Sequence, residues 1–355
     1  MGLDLRAPPA SAIDSLTIEG SLYRRLPDGK VACCACGHRC TILPGRRGIC
    51  KVRFNEDGAL RVPWGYAAAL QCDPTEKKPL YHVLPGSRTF TFGMLGCDLH
   101  CPNCQNWEIS QALRDPAAGA APVHIDAGGM IRLALGYGAQ LVGSSYNEPL
   151  ITAEWARAVF TAARQAGLRT CCISSGNATP EVLEYLRPVT DSYKVDLKAF
   201  TDRNYRILGG RLRTVLDTVQ MAYATGFWME IVTLVIPGFN DTDAELRAAA
   251  EFIASVSSLI PWHVTAFHPD YKMAATAETP ADTLLRAARI GEAAGLRYVY
   301  AGNLPGRMGR YEHTFCHGCG ALLVERCGFL VVRNRLSATG GCCPDCGTAI
   351  PGIWN

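Results

Sequence analysis

Short β-branched and aromatic runs alternate with longer amphipathic stretches through the middle of the chain. The apolar runs at 89–92, 141–146, 170–174, 192–197, 228–236, 262–267 and 297–300 predict strands. Between them, helical spacing predicts helices over about 127–137, 153–166, 180–187, 214–225, 242–257 and 281–294. Thr179-Pro180-Glu181 places a capping hydroxyl before a proline at the first helical position, and Thr279-Pro280 repeats the device. Gly167 and Gly295 follow Ala-rich runs and precede strands, as helix-ending glycines do. Strand–helix alternation on this scale implies right-handed βαβ units and a parallel sheet, closed as a barrel or open. Its catalytic groups belong at the C-terminal ends of the strands.

The flanks read differently. Residues 1–19, with Pro8-Pro9, are expected to be a loose tail. Residues 20–87 read as a small cysteine-bearing module and a lead-in, 88–302 as the repeating α/β unit, and 313–355 as a second cysteine module. The 355 residues are 48 % apolar, so a large core can form. A net charge of +3 gives no case for a nucleic-acid backbone or an anionic membrane as partner. No stretch approaches the ~18 apolar residues of a membrane span. The opening residues lack a secretory pattern, and Arg6 stands where a myristoylation signal wants Ser or Thr.

The cysteines sharpen the picture. Of 17, 13 fall into four tight groups, at 33–50, 97–104, 316–319 and 342–346. Such grouping reads as metal or iron–sulfur ligation in a reducing cytoplasm rather than as a disulfide scaffold. Cys72, Cys171, Cys172 and Cys327 are expected to be small buried hydrophobes.

Cys97, Cys101 and Cys104 form a CxxxCxxC triad just after the first predicted strand. Iron–sulfur clusters usually take four cysteines, so three on one loop can hold a [4Fe–4S] cube and leave one iron open. An open iron can bind the amine and carboxylate of S-adenosylmethionine (SAM), and an electron can then split the sulfonium to release a 5′-deoxyadenosyl radical. The competing reading is a three-cysteine zinc site completed by His100 or water. Polar or glycine residues close the other strands: Ser144–Pro149, Ser174–Asn177, Lys194–Lys198, Pro237–Asp241 and Phe267–Asp270. Singly each is a turn or cap residue; together they favour one ligand site.

With these motifs the chain resembles the radical SAM superfamily near the pyruvate formate-lyase activating enzymes, and within it the radical SAM component of the AmmeMemoRadiSam system. The resemblance rests on Asp73–His82, Cys97–Ser110, Tyr146–Pro149, Asp196–Lys198, Thr233–Asp241, His268–Lys272 and the tail Cys343–Gly352, in family order over nearly the whole chain. It implies a partial (β/α)6 TIM-like barrel with small N- and C-terminal cysteine-rich modules, and a cytoplasmic oxidoreductase of the activase kind. It implies that Cys97, Cys101 and Cys104 hold the cluster and that Asn147 and Glu148 serve the methionine amino group. Lys198 and His268 would face the carboxylate or ribose side with Asp196 beside them, and Ser174 would lie where relatives often read Thr-Asn-Gly. The hydrogen donor would be a protein, with a backbone glycine of a partner enzyme as one case, or a small molecule. The implied partners are a flavodoxin- or ferredoxin-type electron donor and either Memo-family and AMMECR-family proteins or a glycyl radical enzyme.

In the C-terminal module Cys316, Cys319, Cys343 and Cys346 form two CxxCG knuckles, the pattern of a four-thiolate zinc ribbon. In the N-terminal module Cys33, Cys36, Cys40 and Cys50 can hold zinc or a second cluster. His263, inside an apolar run, reads as a satisfied internal histidine; Trp107 and Trp155 read as packing residues. Arg206, Arg211 and Arg213 around Gly209-Gly210 read as a solvated loop. The competing function is a catalytically silent module that uses its zinc ribbons to grip a partner.

Overall fold

The computed structural model describes residues 13–355. Eight strands form one sheet: β1 (Ala69–Pro74), β2 (Arg88–Gly93), β3 (Leu141–Ser144), β4 (Arg169–Ser174), β5 (Ser192–Asp196), β6 (Trp228–Val235), β7 (Trp262–Ala266) and β8 (Val299–Gly302). They lie in chain order, so each strand pairs with its sequence neighbours. From β2 onward every pairing is parallel; β1 runs antiparallel to β2, with Ala69 opposite Gly93 and Pro74 opposite Arg88. The sheet therefore has seven parallel strands, and the lead-in to the first of them supplies an eighth.

Helices fill the crossovers: α1 (Ala127–Gly136), α2 (Ala153–Gln165), α3 (Pro180–Leu186), α4 (Asp202–Leu208), α5 (Leu212–Ala224), α6 (Asp243–Val256) and α7 (Ala281–Ala293). The central strands are buried on both faces, which is why they read as unbroken apolar runs. Trp155, Trp262, Tyr193, Tyr205, Phe90 and Phe160 are fully buried among them. Each such aromatic contributes on the order of 3–5 kcal/mol against truncation to Ala.

The Thr179 hydroxyl accepts the Val182 amide at the start of α3, as its sequence predicts. Thr279 departs from expectation: it makes no cap for α7. Its hydroxyl donates to the Val235 carbonyl at 2.6 Å and accepts the Phe267 amide at 2.9 Å. It ties the ends of β6 and β7 together instead. Gly167 and Gly295 both take left-handed backbone just past their helices. The region of Arg206, Arg211 and Arg213 is not a loop. Arg206 lies in α4, Arg213 in α5, and Gly209 is the left-handed residue that ends α4.

The N-terminal module is built of two small antiparallel sheets, Thr17–Glu19 with Ala59–Pro63 and Phe54–Glu56, and Tyr23–Arg25 with Val31–Cys33 and Thr41–Ile42. Of the expected tail, residues 1–12 lie outside the described residues. From Ile13, which is buried, the chain is already part of the module. Glu154 of α2 holds the module to the main sheet, accepting from the amides of Ser21 and Leu22 and pairing with the buried Arg53. At the other end Thr314–Phe315, Leu322–Cys327 and Leu330–Asn334 form a three-stranded sheet.

A buried polar network joins the lead-in to the main sheet, and the lead-in bonds this last module through Arg326 Nη2 to the Tyr81 carbonyl at 2.8 Å. Glu230 accepts the amides of Tyr81 and His82, both at 2.9 Å, and bonds His263 Nε2 at 2.6 Å. His263 is thus a satisfied internal histidine. Cys171 and Cys172 are fully buried, but Cys72 is only half-buried and Cys327 is exposed on a hairpin, against expectation. No helix among the described residues is long and apolar enough to cross a membrane.

Candidate active site

Strand β2 delivers the chain to the C-terminal edge of the sheet, where the Cys97–Cys104 loop begins. Backbone bonds pin this loop at both ends: Gly96 N to Ile109 O at 3.0 Å and His100 N to Leu208 O at 2.9 Å. The Leu99 carbonyl accepts from Arg114 Nη1 at 2.8 Å and from Gln111 Nε2 at 3.2 Å. Ser110, in the helical turn Trp107–Ser110, sets its hydroxyl 3.2 Å from Cys104 Sγ.

Cys97, Cys101 and Cys104 line one cavity of about 870 Å³, and no other cysteine lines it. Burial pushes the Cys101 thiol up to about 12 and raises Cys97 as well. Three thiols and no fourth fit a cube with one open iron.

Facing the loop is the turn after β3. Tyr146 there is a non-glycine residue with φ +72°, a strained conformation of the kind kept at ligand sites. Asn147 Oδ1 accepts the Met94 amide at 3.0 Å and so locks this turn to the strand that feeds the cysteine loop. Glu148 is buried. Its Oε1 accepts from the Ser174 hydroxyl at 2.7 Å and the Leu150 amide at 3.2 Å; its Oε2 accepts the Ser175 amide at 2.7 Å. Burial, and then the nearby Asp98, push the Glu148 carboxyl up to about 7. Asp98 is itself buried and raised by burial, with Asn177 Nδ2 donating to its Oδ2 at 2.7 Å.

Asn147, Glu148, Asp196, Lys198 and His268 all line the cavity; Ser174 does not, and stands behind Glu148 while Ser175 takes the wall. Asp196 sits between two ammonium groups, Lys194 at 2.8 Å and Lys198 at 3.3 Å. Burial opposes ionisation there, but the two lysines prevail and hold the carboxyl below its usual range. His268 receives the Gln105 amide at 2.9 Å. The site thus joins the cysteine loop to the ends of β3, β4, β5 and β7.

Further residues of the quoted motifs line the same cavity. Lys194 lines the cavity, as do Asp73, Lys78 and Tyr146. Lys78 Nζ bridges Asp73 Oδ2 at 2.8 Å and the Tyr146 hydroxyl at 3.1 Å, and Thr91 Oγ1 lies 2.6 Å from that hydroxyl. Lys194, Asp196 and Lys198 fall at alternate positions, so strand periodicity turns all three to one face.

The other cysteine groups lie apart from this cavity. Cys316, Cys319, Cys343 and Cys346 have their sulfurs all within 4.8 Å of one another, the spacing of a single-ion site. Gly320 and Gly347, each after the second cysteine of its knuckle, take left-handed backbone. Their amides return to the carbonyls of Cys316 and Cys343, both at 2.9 Å. Cys33, Cys36 and Cys50 are buried and Cys40 half-buried in the N-terminal module. All 17 cysteines are free of disulfides.

Comparison with known proteins agrees with this site. The family model of the radical SAM superfamily matches residues 92–253. An uncharacterized protein of Methanocaldococcus jannaschii is 35 % identical over 336 residues, 94 % of this chain and 98 % of that one. The benzylsuccinate synthase activating enzyme of Thauera aromatica is 24 % identical over 225 residues, 59 % of this chain and 65 % of that enzyme. The pyruvate formate-lyase 1-activating enzyme of Escherichia coli is 23 % identical over 241 residues, 61 % of this chain and 93 % of that enzyme. With its cysteine triad at the mouth of a parallel sheet, the chain carries a radical SAM domain with homology to the pyruvate formate-lyase activating enzymes.

Proposed function

We propose that the chain cleaves SAM reductively and uses the resulting 5′-deoxyadenosyl radical to abstract a hydrogen atom from a protein or small-molecule substrate. The observation that carries this is the single cavity lined by three cysteines and by Asn147, Glu148, Asp196, Lys198 and His268. When bound, a [4Fe–4S] cluster on Cys97, Cys101 and Cys104 supplies the electron that breaks the sulfonium bond.

The chain's own residues do the rest. Glu148 and Asn147 meet the amino group; an arriving ammonium favours the ionised Glu148 carboxylate. Lys198 and His268 meet the carboxylate and ribose side, and Asp196 keeps Lys198 in place. Residues of β1 and residues just past β8 line the same cavity, which supports a sheet curled into a partial barrel. Asp73, Lys78 and Tyr146 line the same cavity and would meet a substrate.

The reading is activase-like. It needs a one-electron donor of flavodoxin or ferredoxin type, and a glycyl radical enzyme is its protein-substrate form. Membership in the AmmeMemoRadiSam system, with Memo-family and AMMECR-family partners, is part of the same proposal. So are a zinc ion on Cys316, Cys319, Cys343 and Cys346, a four-thiolate site with no open position, and a reducing cytoplasmic setting for so many free thiols. The test is EPR of the reduced, reconstituted protein with and without SAM. A SAM-dependent change in the cluster signal supports direct binding at the open iron. An unchanged signal at saturating SAM contradicts it.

A further inference from the structure

We propose that Cys33, Cys36, Cys40 and Cys50 form a second thiolate metal centre, seated directly behind the Cys97–Cys104 loop. Two chain reversals bring them together. Cys33 ends the strand Val31–Cys33, and its amide bonds the Cys40 carbonyl at 2.9 Å across the first turn. The second turn carries Cys50, and a Cβ built on its neighbour Gly48 would lie 3.6 Å from Cys40 Sγ. Cys33 and Cys36 are buried in one core cluster, and Cys40 packs against it.

A second observation points into the cluster. Arg53 is 1 % exposed, and its Nη1 donates to Cys33 Sγ at 3.6 Å. Its Nη2 is spent on Glu154, yet its Nε has no partner. A buried donor left unpaired is costly. The guanidinium is thus aimed from the core at the proposed centre. The sulfurs differ from the ribbon set in one respect. Among the described residues only Cys316, Cys319, Cys343 and Cys346 are drawn together within 4.8 Å. The ligand chemistry common to both possible occupants, zinc and an iron–sulfur cluster, is four thiolates.

The centre is also in contact with the catalytic loop. His38 Nε2 lies 3.1 Å from the Asp98 carbonyl oxygen, and the Gly37 amide donates to the Asn177 carbonyl at 2.8 Å. A Cβ on Gly96 would come within 2.9 Å of the Cys50 carbonyl and 2.6 Å of Val52. Fixing residues 33–50 therefore fixes the backbone that enters Cys97.

The site itself does not rest on the proposed reaction, and the test removes that reaction's cluster. The full chain carrying Cys97→Ala, Cys101→Ala and Cys104→Ala is reconstituted without oxygen with zinc, iron and sulfide, then desalted. The ribbon accounts for about one ion per chain. Metal beyond that is expected, and it should vanish on adding Cys36→Ser and Cys40→Ser. A second zinc identifies a mononuclear centre; iron with acid-labile sulfide identifies a cluster. About one ion per chain, with or without those two serines, overturns the proposal. Should the triad variant not fold, native mass spectrometry of wild type against Cys33→Ser gives the same decision. Loss of a metal's mass supports the centre, and equal metal content overturns it.

Discussion

The Ser174 hydroxyl donates to Glu148 Oε1 across 2.7 Å, and both residues are buried. Sequence placed Ser174 among the cofactor contacts. The structure places it behind Glu148: it orients that carboxylate, and Glu148 faces the cavity. The carboxyl so held sits near neutrality because it is buried beside Asp98.

SAM affinity should therefore depend on pH through Glu148. A carboxyl poised at about 7 is mostly protonated below that pH and binds an ammonium poorly. Affinity should rise as pH increases from about 6 to 7.5, and Glu148→Gln should flatten that rise and weaken binding roughly tenfold at the upper end. Calorimetric titration of reconstituted wild type and variant checks this. Parallel pH profiles would remove Glu148 from the amino-group role.

Gly209 should be intolerant of a side chain. Its φ is +86°, and an added Cβ would land on the His100 ring. His100 lies between Cys97 and Cys101, so Gly209→Ala should lower the iron retained per chain under fixed reconstitution. Gly209→Ala with His100→Ala should recover most of it. A single variant that loads iron as wild type does would show that the loop has slack.

Arg326 should be the most costly residue to truncate in the C-terminal module. It is buried, donates to Thr314 Oγ1 at 2.9 Å and to the Tyr81 carbonyl at 2.8 Å, and lies 3.5 Å from the buried Glu76. Arg326→Met leaves that carboxylate unpaired and should cost about 3–5 kcal/mol in urea unfolding. Adding Glu76→Gln should return part of the loss. A cost under about 1 kcal/mol would mean that the pair does not hold the module.

Acid should destabilise the chain through His82. Burial pulls this imidazole down to about 4, against the opposing pull of Glu230. Its Nδ1 donates to the Pro351 carbonyl at 2.7 Å, so its Nε2 accepts from the Tyr300 hydroxyl at 2.7 Å. The fold keeps the neutral form, while the unfolded chain takes up a proton near pH 6.5. Stability is full above about 6.5 and falls as pH drops toward 4, by up to about 1.4 kcal/mol per pH unit. His82→Gln should reduce that slope in urea titrations at pH 7 and 5. An unchanged slope would assign the loss to other groups.

The parallel strands were legible because burial on both faces leaves mainly apolar, β-branched runs such as Trp228–Val235. Strand β1 was not. Its residues are half-buried, and Gln71 and Asp73 turn toward the cavity, so neither a run nor a clean alternation marks it. Helix α4 carries its signals in plain sequence, Thr201 capping the Asn204 amide and Gly209 ending the helix. Three arginines and a Gly-Gly pair gave the stretch the composition of a loop. The cysteine loop and Glu148 were legible as motifs. The left-handed Tyr146 and the Thr279 tie between β6 and β7 depend on neighbours far away in sequence, and no local pattern announces them.

The measurement that bears most directly on the reaction is 5′-deoxyadenosine formation. Anaerobically purified, reconstituted wild type and Cys97→Ala would be given SAM and dithionite. Wild type should form 5′-deoxyadenosine and Cys97→Ala should form none. Equal yields from the two would contradict cleavage at a cluster held by Cys97, Cys101 and Cys104.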